Sequence, residues 1–319
     1  MRLFIIGNGF DLAHKMNTSY NDFSKFLKKN YDIKEEITVP YSLVQIDHNG
    51  EHIVNIYKTA KYLYALINRT NGGDWSNFEE NLGSLDFEED FSFLSHVYDK
   101  NGDINLFHES ANNEDLANDL YVIVPTIKDF FREWITLVND KVTKYKPLNS
   151  FIELLDSNDG EDIFLTFNYT NTLEKLYNVN NICHIHGNVA KDKDIIIGHG
   201  KDDLFFENED RLSRYMGCEY GLQKLQVALK KDTNSVINKH KKFFDKISSN
   251  ITKIYSFGFS YGNIDLPYIE KIIKKLNPQN SNSINWYFEN YKPMEVTKYK
   301  NIITSCGFIG EMSTCSCQK

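Results

Sequence analysis

Among the 319 residues, His186, in the pair His186-Gly187, is the group best suited to acid–base work. Imidazole is the side chain whose ordinary pKa lies nearest neutrality. A satisfied core histidine is the competing reading of the same residue. Asn168 carries an amide that can donate and accept hydrogen bonds, which suits orienting a sugar hydroxyl or a water. A turn or capping asparagine is its plain alternative. Gly7-x-Gly9 and Gly258-x-Ser260 are turns in which glycine lets the backbone approach a phosphate or ribose closely and present N–H groups to it. The third glycine of G-x-G-x-x-G is missing, position 12 being Leu12, so an ordinary strand-to-helix turn fits Gly7-x-Gly9 as well. His184 and His186 form an H-x-H pair. On one strand both would point the same way, which opens a rival metal site with His199 or Asp202 as a further ligand.

These residues need elements to hold them, and four stretches share one grammar. Each is a short apolar run followed at once by Gly, Asn, Ser or Asp and then a helix signal. Buried parallel strands read as such runs, and ligands collect at their C-terminal ends. The runs are Leu3–Ile6, Ile163–Phe167, Ile182–His186 and Ile254–Phe257. Further strands are predicted at Ile195–Ile197 and Ile284–Phe288. Asn171 and Glu174 have capping-box spacing at the start of a helix. Asp265 is placed to cap another, with Pro267 in its first turn.

Between about 32 and 150 the pattern turns helical. Phe78, Leu82 and Leu85 suit one helix face, and Phe130, Phe131, Trp134 and Val138 another. Thr18 to Tyr31 reads as a helix, and 41–56 as a hairpin around Asn49-Gly50. The predicted organisation is an α/β core from 1–31 and 151–319, a mainly helical insertion at 32–150 and a second helical excursion at 205–250. The insertion is a candidate sensor or oligomerisation surface.

Composition sets the outer bounds. With 22 Phe and 19 Tyr the chain can fill a sizeable core, so disorder is not the default. A net charge of −8 with scattered Lys and Arg argues against a nucleic-acid surface. It does not argue against a nucleotide, which backbone N–H groups can hold without basic side chains. The 5 cysteines are dispersed, odd in number and without C-x-x-C, which points to reduced thiols and away from a zinc ribbon. No run is long enough for a membrane span, and the opening apolar stretch is too short for a signal peptide. The expected location is the cytoplasm.

Taken together, the motifs carry a resemblance. Residues 5–14, Ile-Ile-Gly-Asn-Gly-Phe-Asp-Leu-Ala-His, with Thr18-Ser19-Tyr20-x-Asp22-Phe23 after them, resemble the opening of the bacteriophage abortive-infection AbiH family. So do Trp75 with Glu79, Thr166-Phe167-Asn168-Tyr169-Thr170, Ile185-His186-Gly187 and Phe257-Gly258-Phe259-Ser260. More distantly, the order Gly-x-Gly, Thr-x-Asn-x-x, His-Gly, Gly-x-Ser is similar to the sirtuin superfamily, including its defence-associated branch that hydrolyses NAD. That likeness implies a sirtuin-like, Rossmann-type parallel sheet flanked by helices. It also implies a site for NAD or a related nucleotide. Gly7, Asn8, Gly9, Phe10 and Asp11 would cradle the pyrophosphate, while Asn168 and His186 would be the catalytic pair. Thr166, Gly187 and Asp265 would line the cofactor, and Gly258 and Ser260 would take the adenosine side.

Two departures matter. Thr170 stands where the sirtuin motif has Asp, and the paired-cysteine zinc module is absent, so protein deacylation is not expected. The implied function is hydrolysis of NAD at the nicotinamide–ribose bond in phage defence, with a phage-derived trigger and room for a homo-oligomer, and no metal is expected. The alternatives are a sensor that binds NAD or ADP-ribose without chemistry, and a metal-dependent nuclease using His184, His186 and Asp202.

Overall fold

The computed structural model describes residues 1–34, 42–69, 94, 96–157, 160–200, 216–247, 250–276, 283–289 and 293–316. Asp74, Trp75, Phe78, Glu79, Leu82, Leu85, Asp202 and Cys317 lie outside these residues. In chain order the strands are β1 (Arg2–Ile6), β2 (Val44–Ile46), β3 (His52–Val54), β4 (Asp162–Thr166), β5 (Ile182–His184), β6 (Lys253–Phe257), β7 (Asn285–Glu289) and β8 (Glu311–Cys315). Two compact units contain them. The first comprises 1–19, 133–196 and 232–319, the second 20–132 and 197–231. The sequence had suggested an insertion at 32–150 and a separate excursion at 205–250.

The first unit is an α/β layer built on a 6-stranded sheet in the order β5-β4-β1-β6-β7-β8, every pair parallel. The chain leaves the central β1 for β4 and β5 on one side, then returns to β6 beside β1 and winds outward through β7 and β8. This is a doubly wound sheet whose winding direction reverses between β1 and β6. In such sheets the ligand crevice lies outside the carboxyl ends of the strands at that reversal.

From Leu3 to Ile6 strand β1 is apolar because both of its faces are covered. Leu3 and Ile5 join one buried cluster, Phe4 and Ile6 the other. On the second face, aromatic rings stack between laterally paired residues. Phe4 lies 4.8 Å from Phe164 and 5.2 Å from Tyr255, and Tyr255 lies 4.8 Å from Tyr287. Each such pair adds about 0.5–1.5 kcal/mol beyond its burial. The one charge in β1, Arg2, is buried and bidentate on Asp162, at 2.8 and 2.6 Å, and it also donates to the carbonyls of Leu154 and Leu155. That contact fixes the register of β1 against β4.

Helices flank the sheet, among them Asn8–Ala13, Asn149–Asp156, Thr172–Tyr177, Leu266–Lys275 and Pro293–Ser305. The second unit is helical, with Tyr20–Asn30, Ile56–Arg69, Leu106–Val122 and Glu219–Ala228, plus the β2–β3 hairpin. Val124–Asn139 is a helix as its pattern predicts, and Phe130, Phe131, Trp134 and Val138 are all buried. Among the described residues no helix is long and apolar enough to cross a membrane.

Two predicted features differ. Ile195–Ile197 is not a strand. Its Ile196 amide donates to the His186 carbonyl, and its Ile196 carbonyl accepts from the Tyr169 hydroxyl, both at 2.8 Å. Strand β5 also stops at His184, because the Gly187 amide folds back onto the His184 carbonyl at 3.1 Å with Gly187 at φ +91°. Ile185 and His186 therefore lie in a turn, and the shared-face argument for His184 and His186 lapses.

Candidate functional site

At the reversal point two glycine turns interlock. The Gly7 amide donates to the Phe257 carbonyl, the Gly9 amide to the Gly258 carbonyl and the Phe10 amide to the Gly7 carbonyl, each at 2.9 Å. A Cβ on Gly9 would lie 2.6 Å from Gly258 Cα, and one on Gly258 would lie 2.1 Å from the Phe10 nitrogen. Gly258 also sits at φ +60°, a region that disfavours side chains. The glycines are thus accounted for by one backbone turn pressed on another. The amides of Gly7, Gly9 and Phe10, expected to cradle a pyrophosphate, are thus engaged within the chain. Asn8 Nδ2 donates to the Thr18 carbonyl at 2.9 Å and closes the following loop. Ser260, on the far side of the second turn, is exposed.

Beneath these turns lies Asp11, which is buried and does not face outward to a ligand phosphate. Thr170 donates to its Oδ2 at 2.6 Å and Thr172 to its Oδ1 at 2.7 Å. Burial pushes the Asp11 carboxyl above its ordinary value, against the opposing pull of the two threonine hydroxyls, of His14 and of nearby Asn168. His14 Nδ1 donates to the Phe10 carbonyl, and the Tyr177 hydroxyl reaches His14 Nε2, both at 2.6 Å. Burial lowers the His14 pKa, so this ring favours the neutral form.

Asn168 follows β4, held by its amide on Thr166 Oγ1 at 3.1 Å. It is buried, and its Oδ1 has no hydrogen-bond partner. Thr18 Oγ1 is likewise buried without one. A buried acceptor left unsatisfied costs about 1–3 kcal/mol. Such atoms in a native fold call for a partner that the protein itself does not supply.

His186 is buried, with Nε2 at 3.4 Å from Asp265 Oδ1. Asp265 stands at the start of the helix Leu266–Lys275, and its side chain makes no capping hydrogen bond there. The rings of Phe167, Tyr169 and Tyr268 lie 5.3, 6.1 and 5.8 Å from the imidazole. Phe167 and Tyr169 flank Asn168, so the two candidate catalytic residues occupy adjoining strand tips. The arrangement is a buried histidine backed by a carboxylate and walled by aromatic rings, beside an amide with an open acceptor.

His184 has a different task. Its Nδ1 donates to the Asn168 carbonyl, and its Nε2 faces Glu174 Oε1 and Asn188 Nδ2, all at 3.1 Å. Burial alone would raise the Glu174 carboxyl, yet the hydrogen bond and charge of His184 hold it below its ordinary value. The capping box predicted from Asn171 and Glu174 does not form: Asn171 makes no side-chain cap and accepts instead from Asn188. With both His184 nitrogens engaged, the H-x-H metal pair has a competing arrangement. Among the described residues no group of three or more His, Cys, Asp or Glu could hold a metal ion. Cys183, Cys218, Cys306 and Cys315 are thiols, and burial pushes Cys183 and Cys218 up to about 12.

The sequence model of the bacteriophage abortive infection AbiH family matches residues 3–288. The chain belongs to that family. With membership comes the broad role, abortive infection in phage defence. No curated protein and no solved structure matches the chain.

In this AbiH chain the turn Gly7-x-Gly9, Asp11, Thr166, Asn168 and Gly258 meet around the tips of β1, β4 and β6, while His186, Gly187 and Asp265 gather at the neighbouring tip. Thr172 and Tyr177 escaped the sequence reading, Glu174 entered it only as a helix cap and Thr170 only within the motifs. Each is an ordinary polar residue whose partner lies on a distant segment. The one available signal was Thr170 itself, where a carboxylate was expected and where the Asp11 carboxylate in fact arrives.

Proposed function

We propose that this AbiH chain acts in abortive infection by hydrolysing NAD at the nicotinamide–ribose bond, in a sirtuin-like site at the tips of β1, β4 and β5. The observation that carries the reading is the buried His186–Asp265 pair beside the unsatisfied Oδ1 of Asn168. On this reading the bond between C1′ and the pyridinium nitrogen breaks, and its electron pair neutralises the departing nicotinamide. Water adds to the oxocarbenium-like C1′, and His186 takes its proton while Asp265 stabilises the imidazolium. Asn168 accepts a hydrogen bond from the ribose and sets its orientation. The nicotinamide-ribose end suits these residues. The pyrophosphate has no support from the Gly7 and Gly9 amides, and no step is routed through them.

The test is nicotinamide release from NAD by purified protein, with and without EDTA. Wild type should release it in both conditions, and His186→Ala should lose about 10²–10⁴-fold in rate while keeping its circular dichroism spectrum. Full turnover by His186→Ala would remove the histidine from the mechanism. Saturable NAD binding without release would support the binding-only sensor, and loss of activity in EDTA would support metal-dependent chemistry.

A further inference from the structure

The backbone of Asn168 is gripped on both sides by side chains. Its amide donates to Thr166 Oγ1 and its carbonyl accepts from His184 Nδ1, both at 3.1 Å. A carbonyl only accepts, so Nδ1 must carry the hydrogen. The other ring nitrogen, Nε2, lies between Glu174 Oε1 and Asn188 Nδ2, each at 3.1 Å. The Asn188 Oδ1 is taken by the Ala190 amide at 2.9 Å, which leaves Nδ2 to face the ring. Bare, Nε2 accepts from that amide; protonated, it donates to the Glu174 oxygen. Nδ1 therefore keeps its hydrogen for Asn168 in either state. The His184 side chain is only 8% exposed, so water competes little for these contacts. What Asn168 leaves over is its side-chain Oδ1, buried and without a partner.

We infer that His184 is a positioning residue: through its Nδ1–H it holds the Asn168 peptide, and so fixes where the open Oδ1 stands relative to His186. The inference rests on the function proposed above and names the group that sets its geometry. His184 also belongs to the turn that carries His186. Its carbonyl accepts from the Gly187 amide at 3.1 Å, and its ring meets Asn188, two residues beyond His186. One residue thus touches both candidate catalytic segments, while Glu174 steadies the imidazole from the helix Thr172–Tyr177. The frame around the ring does not depend on it. The Ile185 amide donates to the Thr166 carbonyl and the Val189 amide to the Tyr169 carbonyl, both at 3.0 Å, and these backbone bonds join the same segments whatever side chain stands at 184. Removing the ring would free the Asn168 peptide to turn toward another donor and carry Oδ1 out of line, with the strand tips still folded. His184 acts through Asn168 and does not itself touch the ligand.

The experiment measures kcat/KM for nicotinamide release from NAD by wild type, His184→Leu, His184→Gln and His184→Asn, and by Asn168→Ala with and without His184→Leu. Asparagine places its NH2 near the position of Nδ1, whereas glutamine places its own near Nε2. His184→Leu and His184→Gln should lose about 10–100-fold, the scale of a small misplacement at a reacting centre. His184→Asn should recover most of that loss. Asn168→Ala has no Oδ1 to place, so adding His184→Leu to it should cost about twofold or less. A merely structural role predicts the same factor in both backgrounds. That result, or equal losses in His184→Asn and His184→Gln, overturns the inference. Should His184→Leu fail to fold, the comparison of His184→Asn with His184→Gln carries the test. If NAD binds without turnover, the same comparisons are read from Kd. Wild type that neither hydrolyses nor binds NAD overturns the proposed function, and the positioning role with it. An active wild type with an indifferent His184→Leu overturns the positioning role alone.

Discussion

Gly258→Ala tests the interlocked turns most directly. Gly258 lies at φ +60°, and the left-handed region costs a side chain roughly 1–2 kcal/mol. The new Cβ would also stand 2.1 Å from the Phe10 nitrogen, 2.4 Å from the Gly9 carbonyl carbon and 2.5 Å from Gly9 Cα. These are backbone atoms, which cannot rotate aside as a side-chain tip can, so a further overpacking cost of about 1–3 kcal/mol follows. Gly307→Ala is the control within the same unit. It has φ +95° and nothing within 4 Å of its Cβ, so only the first cost applies. The difference between the variants is therefore about 1–3 kcal/mol. At roughly 2–4 °C per kcal/mol for a large domain, Gly258→Ala should melt about 2–12 °C below Gly307→Ala. Circular dichroism melting curves at one scan rate measure this. If Gly258→Ala melts with or above the control, the two turns are not pressed together and the account of Gly7, Gly9 and Gly258 fails.

Other perturbations follow from buried charge. Arg2→Met should cost about 3–5 kcal/mol in urea unfolding, because Asp162 is left in a largely buried place without its partner; a loss under about 1 kcal/mol would show that the pair is solvated. His14 has a pKa lowered from 6.5, so the stability it contributes is present above 6.5 and lost as pH falls through the lower folded value. Wild type should therefore lose stability relative to His14→Gln on acidification below 6.5, and parallel pH profiles contradict this. Asp11 behaves oppositely. Its pKa is raised from 3.8, so its contribution is present below 3.8 and lost as pH rises through the higher folded value. Asp11→Asn should gain on wild type over that rise, in melting temperature measured across buffers.

What could be read from the sequence was the set of strands buried on both faces. Leu3–Ile6, Ile163–Phe167 and Ile254–Phe257 announce themselves because both of their faces are buried and nearly all of their residues are apolar. The edge strand β8, with largely exposed residues such as Glu311 and Ser313, gives no such signal and was not foreseen. Ile195–Ile197 gave a false one: its side chains are mostly buried, but its backbone serves the His186 turn rather than a ladder. Local rules failed where a distant partner offered more. Asn171 and Glu174 have the spacing of a capping box, yet Asn188 and His184 claim their side chains. The strand-tip residues could be nominated from type and context, whereas their pairing could not. The contacts of Asp11 with Thr170 and of His186 with Asp265 join segments 159 and 79 residues apart, from 170 − 11 and 265 − 186, and no local pattern encodes them.

The central place of β1 has a consequence for the order of events during synthesis. Arg2 pairs with Asp162 on one side and with Lys253 on the other, so the strand that emerges first waits for both of its neighbours. Long closures add little to the equilibrium cost of folding but slow its rate. Until β6 has emerged, at least one edge of an apolar strand stays open to wrong partners, a window in which nascent-chain binding by a chaperone would matter. The same geometry works as a timer. His186 has no Asp265 opposite it until the ribosome has passed that residue, so on the proposed reading a growing chain cannot consume the NAD of the cell that is making it.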